Sequence, residues 1–119
     1  VRATGSIWES VVLNVLQQSG LTLLARNFTT RFGEIDLIMH EQETVVFIEV
    51  RYRDSAQFGD GVASINYAKQ LKLIRAAQIF LQHHPTFAHL SCRFDVVGCS
   101  GTPQQPQLDW QRAAFDAYV

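Results

Sequence analysis

Carboxylates placed inside two strand-like apolar runs constrain this chain more than any other feature. Gly-Glu-Ile-Asp-Leu-Ile (33–38) and Val-Val-Phe-Ile-Glu-Val-Arg-Tyr-Arg (45–53) flank the polar segment Glu41-Gln42-Glu43-Thr44. That order predicts a β-hairpin joined by a connection of about four residues, centred between Gln42 and Glu43. Asp36 then falls opposite Glu49, and Glu34 opposite Arg51. Alternation along a strand sends these four side chains to one face of the hairpin. Opposed Cβ atoms lie roughly 4.5–5.5 Å apart, where like charges repel, and a buried unpaired carboxylate costs several kcal/mol. A cation is the usual remedy. Paired carboxylates, a backbone carbonyl and water are hard oxygen ligands, which suit Mg²⁺ or Mn²⁺ better than Zn²⁺.

Asp36, followed a dozen residues later by Glu49-Val50-Arg51, resembles the D…(D/E)-x-K signature of the PD-(D/E)xK nuclease superfamily. Within it, four strings are similar to the YraN-like bacterial family of predicted endonucleases: Leu-Leu-Ala-Arg-Asn-Phe (23–28), Gly-Glu-Ile-Asp-Leu-Ile (33–38), Phe-Ile-Glu-Val-Arg-Tyr-Arg (47–53) and Arg-Phe-Asp-Val-Val (93–97). The likeness runs from about Trp8 to Phe115. It implies a restriction-endonuclease-like α/β fold and a metal-dependent endonuclease that hydrolyses DNA. Asp36 and Glu49 are the implied metal ligands, and Glu9 of the first helix is an implied helper. Similarity to archaeal Holliday-junction resolvases makes branched or structured DNA the implied substrate and leaves a homodimer open.

The chain departs from that pattern where the signature has lysine, because Arg51 stands there. Lysine can orient water and shift its pKa, whereas arginine stays charged and only orients or stabilises negative charge. Arg51 is the candidate for contact with the scissile phosphate or the attacking water. Lys69 or Gln70, early in the following helix, is the candidate to supply what Arg51 cannot. Arg51 also favours a second reading, a nucleic-acid- or partner-binding module on the nuclease fold without turnover, in which Glu34 and Arg51 form a structural ion pair. A net charge of −1 favours a third, a scaffold without nucleic acid.

The rest of the chain fills in a single domain of 119 residues. Apolar residues at 47% against 18% charged predict a folded core and exclude disorder. No apolar run of about 18 residues and no signal-like leader is legible, which predicts a cytoplasmic protein. Residues 6–18 read as a helix, with Trp8, Val12, Val15 and Leu16 at helical spacing. Ser6 and Glu9 there have the form of a capping box. Gly20 closes that helix, and a first strand follows over 21–28. After a loop over 54–61, a second helix is predicted over about 64–83, with Tyr67, Leu71, Ile74, Ala77 and Leu81 as its buried stripe. Pro85 ends it. A fourth strand is expected over 91–99, with Arg93 and Asp95 neutralising each other, and a closing helix or strand over 110–118.

The predicted order is αβββαβ, a mixed central sheet flanked by helices. Arg26, Arg31, Arg53, Lys69, Gln70 and Lys72 are candidate DNA contacts, since a local basic face suffices to engage a few phosphates. Cys92 and Cys99, roughly 23 Å apart along one strand, predict two free thiols. His83, His84, His89 and Cys92 match no usual zinc spacing and read as ordinary surface side chains.

Overall fold

The structure, a computed structural model, describes residues 2–52 and 65–116, with side chains from residue 5 onward. The predicted loop over 54–61 and the candidate Arg53 lie outside the described residues. Helix α1 (Arg2–Gln18) is followed by strands β1 (Thr22–Thr30), β2 (Gly33–Glu41) and β3 (Thr44–Tyr52), helix α2 (Tyr67–His83), a 3-10 turn (Pro85–Phe87), and strands β4 (Ser91–Gly101) and β5 (Pro106–Gln111). The strands form one mixed sheet in the order β1-β2-β3-β4-β5. Neighbours are antiparallel except β3 and β4, whose parallel pairing requires the crossover that contains α2. The mixed α/β class matches the expectation, with β5 as an additional strand.

Helix α1 starts a turn before the predicted point, so Ser6 is inside it and the capping-box reading fails. Its C-terminus follows the sequence. Gly20, at φ 102, donates to Gln17 O while Leu21 N donates to Leu16 O, which together make a Schellman closure. Helix α2 is capped by Asn66, whose side chain accepts from Lys69 N at 2.8 Å.

The two faces of the sheet carry separate cores. On the α1 side Trp8, Val12 and Leu16 pack with Leu37, Met39, Val46, Ile48 and Val97. On the α2 side Leu73, Ala76, Ala77 and Phe80 pack with Ile35, Ile38, Val45, Phe47 and Phe94. The predicted stripe of α2 is therefore rotated: Tyr67 is 72% exposed and Leu71 36%, while Leu73, Ala76 and Phe80 are buried beside Ala77 and Leu81. With apolar residues around most of the helix, spacing identifies the helix but does not choose its buried face.

Cys92 and Cys99 are free thiols as expected, and burial pushes Cys99 up to about 12. His84 stacks on Phe80, with Nδ1 2.8 Å from Phe80 O. No helix among the described residues is long and apolar enough to cross a membrane.

The hairpin register is the predicted one. Pairs run from Glu41–Thr44 to Leu37–Ile48, which leaves a two-residue loop, Gln42-Glu43, in place of the expected four. Gln42 takes φ 53, a left-handed conformation that costs an L-residue about 1–2 kcal/mol. Gln42→Gly is expected to raise the melting temperature by about 4 °C, since roughly 1 kcal/mol is worth that much in a domain of this size. A lowered midpoint in a thermal melt would count against this turn geometry.

Candidate active site

The ladder between β2 and β3 stops just where the acids begin. Past Leu37–Ile48, the backbone N–H of Val50 donates to Asp36 Oδ2 at 2.8 Å. The carboxylate thus satisfies a strand donor that the neighbouring backbone does not. On the other side of β2, pairing passes from Arg26–Leu37 to Phe28–Ile35, with Asn27 between them at φ 56. Asparagine tolerates this left-handed conformation better than most residues. Strict alternation would put Ile35 and Leu37 on one face, but Ile35 belongs to the α2-side core and Leu37 to the α1-side core. The facing of β2 switches at Asp36.

That switch opens a cavity of about 350 Å³ lined by Trp8 and Glu9 from α1, Glu34 and Asp36 from β2, Glu49, Val50 and Tyr52 from β3, and Lys69 from α2. Sequence reasoning placed Glu34, Asp36 and Glu49 on one hairpin face; the structure brings them to one cavity, reached from both helix layers. Carboxylate oxygens of Glu9, Glu34 and Asp36 lie within 4.8 Å of one another. Among the described residues they are the only such cluster of three or more histidine, cysteine or acidic ligands. Glu34 was read from sequence only as a partner for Arg51. Its parity with Asp36 on one strand was the available signal for a ligand role.

Glu49 points to cations instead. Its Oε2 is 3.4 Å from Arg51 Nη1 and 3.5 Å from Lys69 Nζ. The glutamate is buried, and the Asn66 cap fixes the helical turn that delivers Lys69 to it. Gln70, the other candidate on that turn, donates to Ile65 O at 3.1 Å.

Arg26 anchors α1 to β1. Its Nη2 donates to Ser6 O and Ser10 Oγ, both at 2.8 Å, and its Nε is 3.7 Å from Glu9 Oε1. Glu9 itself is 4% exposed. Arg31 and Lys72 are exposed: Arg31 lies over the Phe32 ring and Lys72 beside Gly33.

The electrostatics of the cavity are dominated by Asp36. Burial and then the charge of Glu49 push its carboxyl up to about 7, with further repulsion from Glu9 and Glu34, against the opposing hydrogen bond from Val50. A carboxyl so perturbed in a cleft is a candidate for a functional site. The donor set is all oxygen and strongly anionic, which fits a hard divalent cation such as Mg²⁺ or Mn²⁺.

Comparison with known proteins places the chain among relatives of the same size. The model described as uncharacterised protein family UPF0102 matches residues 8–99. A UPF0102 protein of Xanthomonas axonopodis pv. citri is 49% identical over 113 residues, 95% of this chain and 91% of that protein. One from Stutzerimonas stutzeri is 46% identical over 116 residues, 98% and 97% of the two chains. One from Pseudomonas syringae pv. syringae is 44% identical over 110 residues, 92% and 89%. The matched span takes in most of α1, the hairpin, all of α2 and most of β4, so it includes every acid of the cavity, and the chain belongs to the UPF0102 family.

Proposed function

We propose that this protein is a metal-dependent endonuclease that hydrolyses DNA phosphodiesters, with structured or branched DNA as its substrate class. The observation that carries the reading is the gathering of Glu9, Glu34 and Asp36 within 4.8 Å, in a cavity where the Asp36 carboxyl is pushed up to about 7. The sequence resemblance to PD-(D/E)xK nucleases supports it independently.

Asp36, Glu9 and Glu34 are the residues that would hold Mg²⁺ or Mn²⁺. Such an ion supplies charge neutralisation at the phosphate oxygens and a more acidic bound water. The other side chains have roles of their own. Lys69 and Arg51 flank Glu49 at the cavity wall and set two positive charges beside the acids, where a phosphodiester needs its own charge offset. Lys69 can also give a proton to the leaving oxygen, which Arg51 cannot do at ordinary pH. Arg51 serves as the clamp, Lys69 as the proton donor, and Glu49 holds both.

The test is cleavage of linear, flapped and four-way DNA in Mg²⁺, Mn²⁺ or EDTA. Activity is expected only with the metal ions and is expected to fall at least about a hundredfold in Asp36→Ala and in Glu49→Ala, the scale seen for loss of one strong electrostatic group. Lys69→Ala is expected to cost more than Arg51→Ala. Activity that persists in EDTA, or at wild-type rate in either acid variant, would rule out this site.

Arg51 at the position of the signature lysine favours a second reading, a DNA-binding module without turnover. Its mark is DNA bound equally well with and without Mn²⁺ and no product at any time.

A further inference from the structure

The β1–β2 turn carries an aromatic ring, Phe32, with two guanidinium groups close to it. Arg31 Cζ lies 4.9 Å and Arg75 Cζ 5.4 Å from the centroid of the Phe32 ring, both within cation–π range. Arg31 comes from the turn and Arg75 from α2, so the stack clips two separate elements together. Both arginines are exposed and Phe32 is partly so. Helix α2 approaches the turn closely: a Cβ on Gly33 would sit 3.9 Å from Lys72 Cβ, and Gly33 itself takes φ 150.

Three cations, Lys69, Lys72 and Arg75, recur every third residue along α2. Lys69 meets Glu49 in the acid cavity and Arg75 meets Phe32, so the row runs from the cavity to the stack. Six residues of helix rise about 9 Å, close to the length of three nucleotides at a stacked spacing of about 3.4 Å. Acidic side chains are missing from this part of the helix, whose sequence from Tyr67 to Arg75 contains none. The row is therefore complementary to a phosphate backbone rather than to a protein helix of mixed charge.

We propose that the Arg31–Phe32–Arg75 stack and Lys72 form a docking site for an unpaired nucleic-acid strand that leads into the acid cavity. The proposal rests on the nucleic-acid reading above and deepens it. Guanidinium planes and aromatic rings stack unpaired bases, whose π-faces are open, whereas a duplex hides those faces. Lys72 and the arginine N–H groups take the flanking phosphates as charge-assisted hydrogen-bond donors. A strand so held presents its next phosphodiesters to Lys69. The substrate class this selects is DNA with a single-stranded segment adjoining the point of cleavage.

Binding of labelled oligo-dT, oligo-U and blunt duplex DNA, followed by fluorescence anisotropy in EDTA, tests the site without turnover. Phe32→Ala is expected to weaken oligo-dT roughly tenfold, the scale of one lost base–aromatic stack. Blunt duplex is expected to change less than twofold. Arg75→Gln is expected to lower the dependence of log affinity on log salt by about 0.7, one phosphate contact with a single strand. Oligo-U is the control for the sugar: a loss in Phe32→Ala confined to oligo-U would overturn the assignment to a DNA strand. Phe32→Leu, which keeps apolar bulk, and exposed Arg31→Glu repeat the test if Phe32→Ala melts too low. Oligo-dT and oligo-U both bound at wild-type affinity by these variants, or duplex weakened as much as single strand, would overturn the proposal. Phe32-dependent binding by the wild-type protein, together with no cleavage of any DNA in Mg²⁺ or Mn²⁺, refutes the nuclease reading alone. Cleavage of flapped DNA unaffected by Phe32→Ala refutes the docking site alone.

Discussion

Asp95→Ala is expected to lower the melting temperature by about 12 °C or more, the largest stability loss of any single site described above. Asp95 is 1% exposed, and the fold gives it a complete set of donors. Arg93 Nε lies 3.0 Å from Oδ1 and 3.3 Å from Oδ2; Trp110 Nε1 donates to Oδ2 and Ala113 N to Oδ1, both at 2.9 Å. Arg93 continues to Glu41 at the end of β2 through a 2.9 Å bond, and Arg112 lies over the Trp110 ring at 3.8 Å. The aspartate therefore ties β4 to β5 and to the turn beyond it, where Ala113 is held at φ 49. Truncation leaves a mostly buried arginine, an indole N–H and a backbone N–H without their acceptor. Breaking a buried pair from one side costs about 3–5 kcal/mol, and each kcal/mol is worth about 4 °C here. Asp95→Asn is expected to lose less, because the amide oxygen still accepts from one of the two N–H groups. A loss under about 1 kcal/mol in Asp95→Ala, by urea or thermal unfolding, would show that the network adds no net stability.

The Arg93–Asp95 pair was legible from sequence because two residues of one strand, two apart, must share a face. Trp110 and Ala113 were not, since their contact depends on β5 folding back on β4, and the alternating run Gln107-Leu108-Asp109-Trp110-Gln111 is short and lies mostly before the closing element expected over 110–118. The same division holds at the acid cavity. Opposed carboxylates in two apolar runs were enough to fix the hairpin register and to single out Asp36 and Glu49. Alternation alone could not show that β2 changes facing at Asp36, a change visible only in which core each side chain joins. Glu34 was placed on the face of Asp36 but read only as an ion-pair partner of Arg51, because the cluster also takes Glu9 from α1, whose approach to β2 is a tertiary contact. Lys69 was found by the position of its helix after the motif strand, and the Asn66 cap that fixes it was the missing local signal.

Asp36→Asn is expected to melt above wild type in EDTA at pH 8, and Mn²⁺ is expected to reverse that order. The Asp36 carboxyl has an ordinary value of 3.8 and is raised to about 7 in the folded chain, first by burial and then by Glu49. The folded state holds this proton more tightly than the unfolded state, so stability falls as pH rises. The contribution is fully present below about pH 4 and is lost as pH passes through about 7. A perturbation of this size corresponds to about 4 kcal/mol in full, and to about 2 kcal/mol once water at a half-buried carboxylate is allowed for. Asparagine keeps an acceptor for the Val50 N–H and removes the charge that the other acids repel. The variant should therefore gain about 8 °C at pH 8, with the gap closing towards pH 4. A cation acts in the opposite direction on wild type. Binding only the folded chain, it adds about 2.7 kcal/mol at a hundred times its dissociation constant, while the variant, lacking the Asp36 carboxylate, gains little. Should wild type and Asp36→Asn respond identically to millimolar Mn²⁺, the three carboxylates do not act as a cation site, and the reading without turnover takes precedence. Should the variant melt below wild type in EDTA at pH 8, the Asp36 charge is compensated inside the fold, and the repulsion inferred from the cavity is absent.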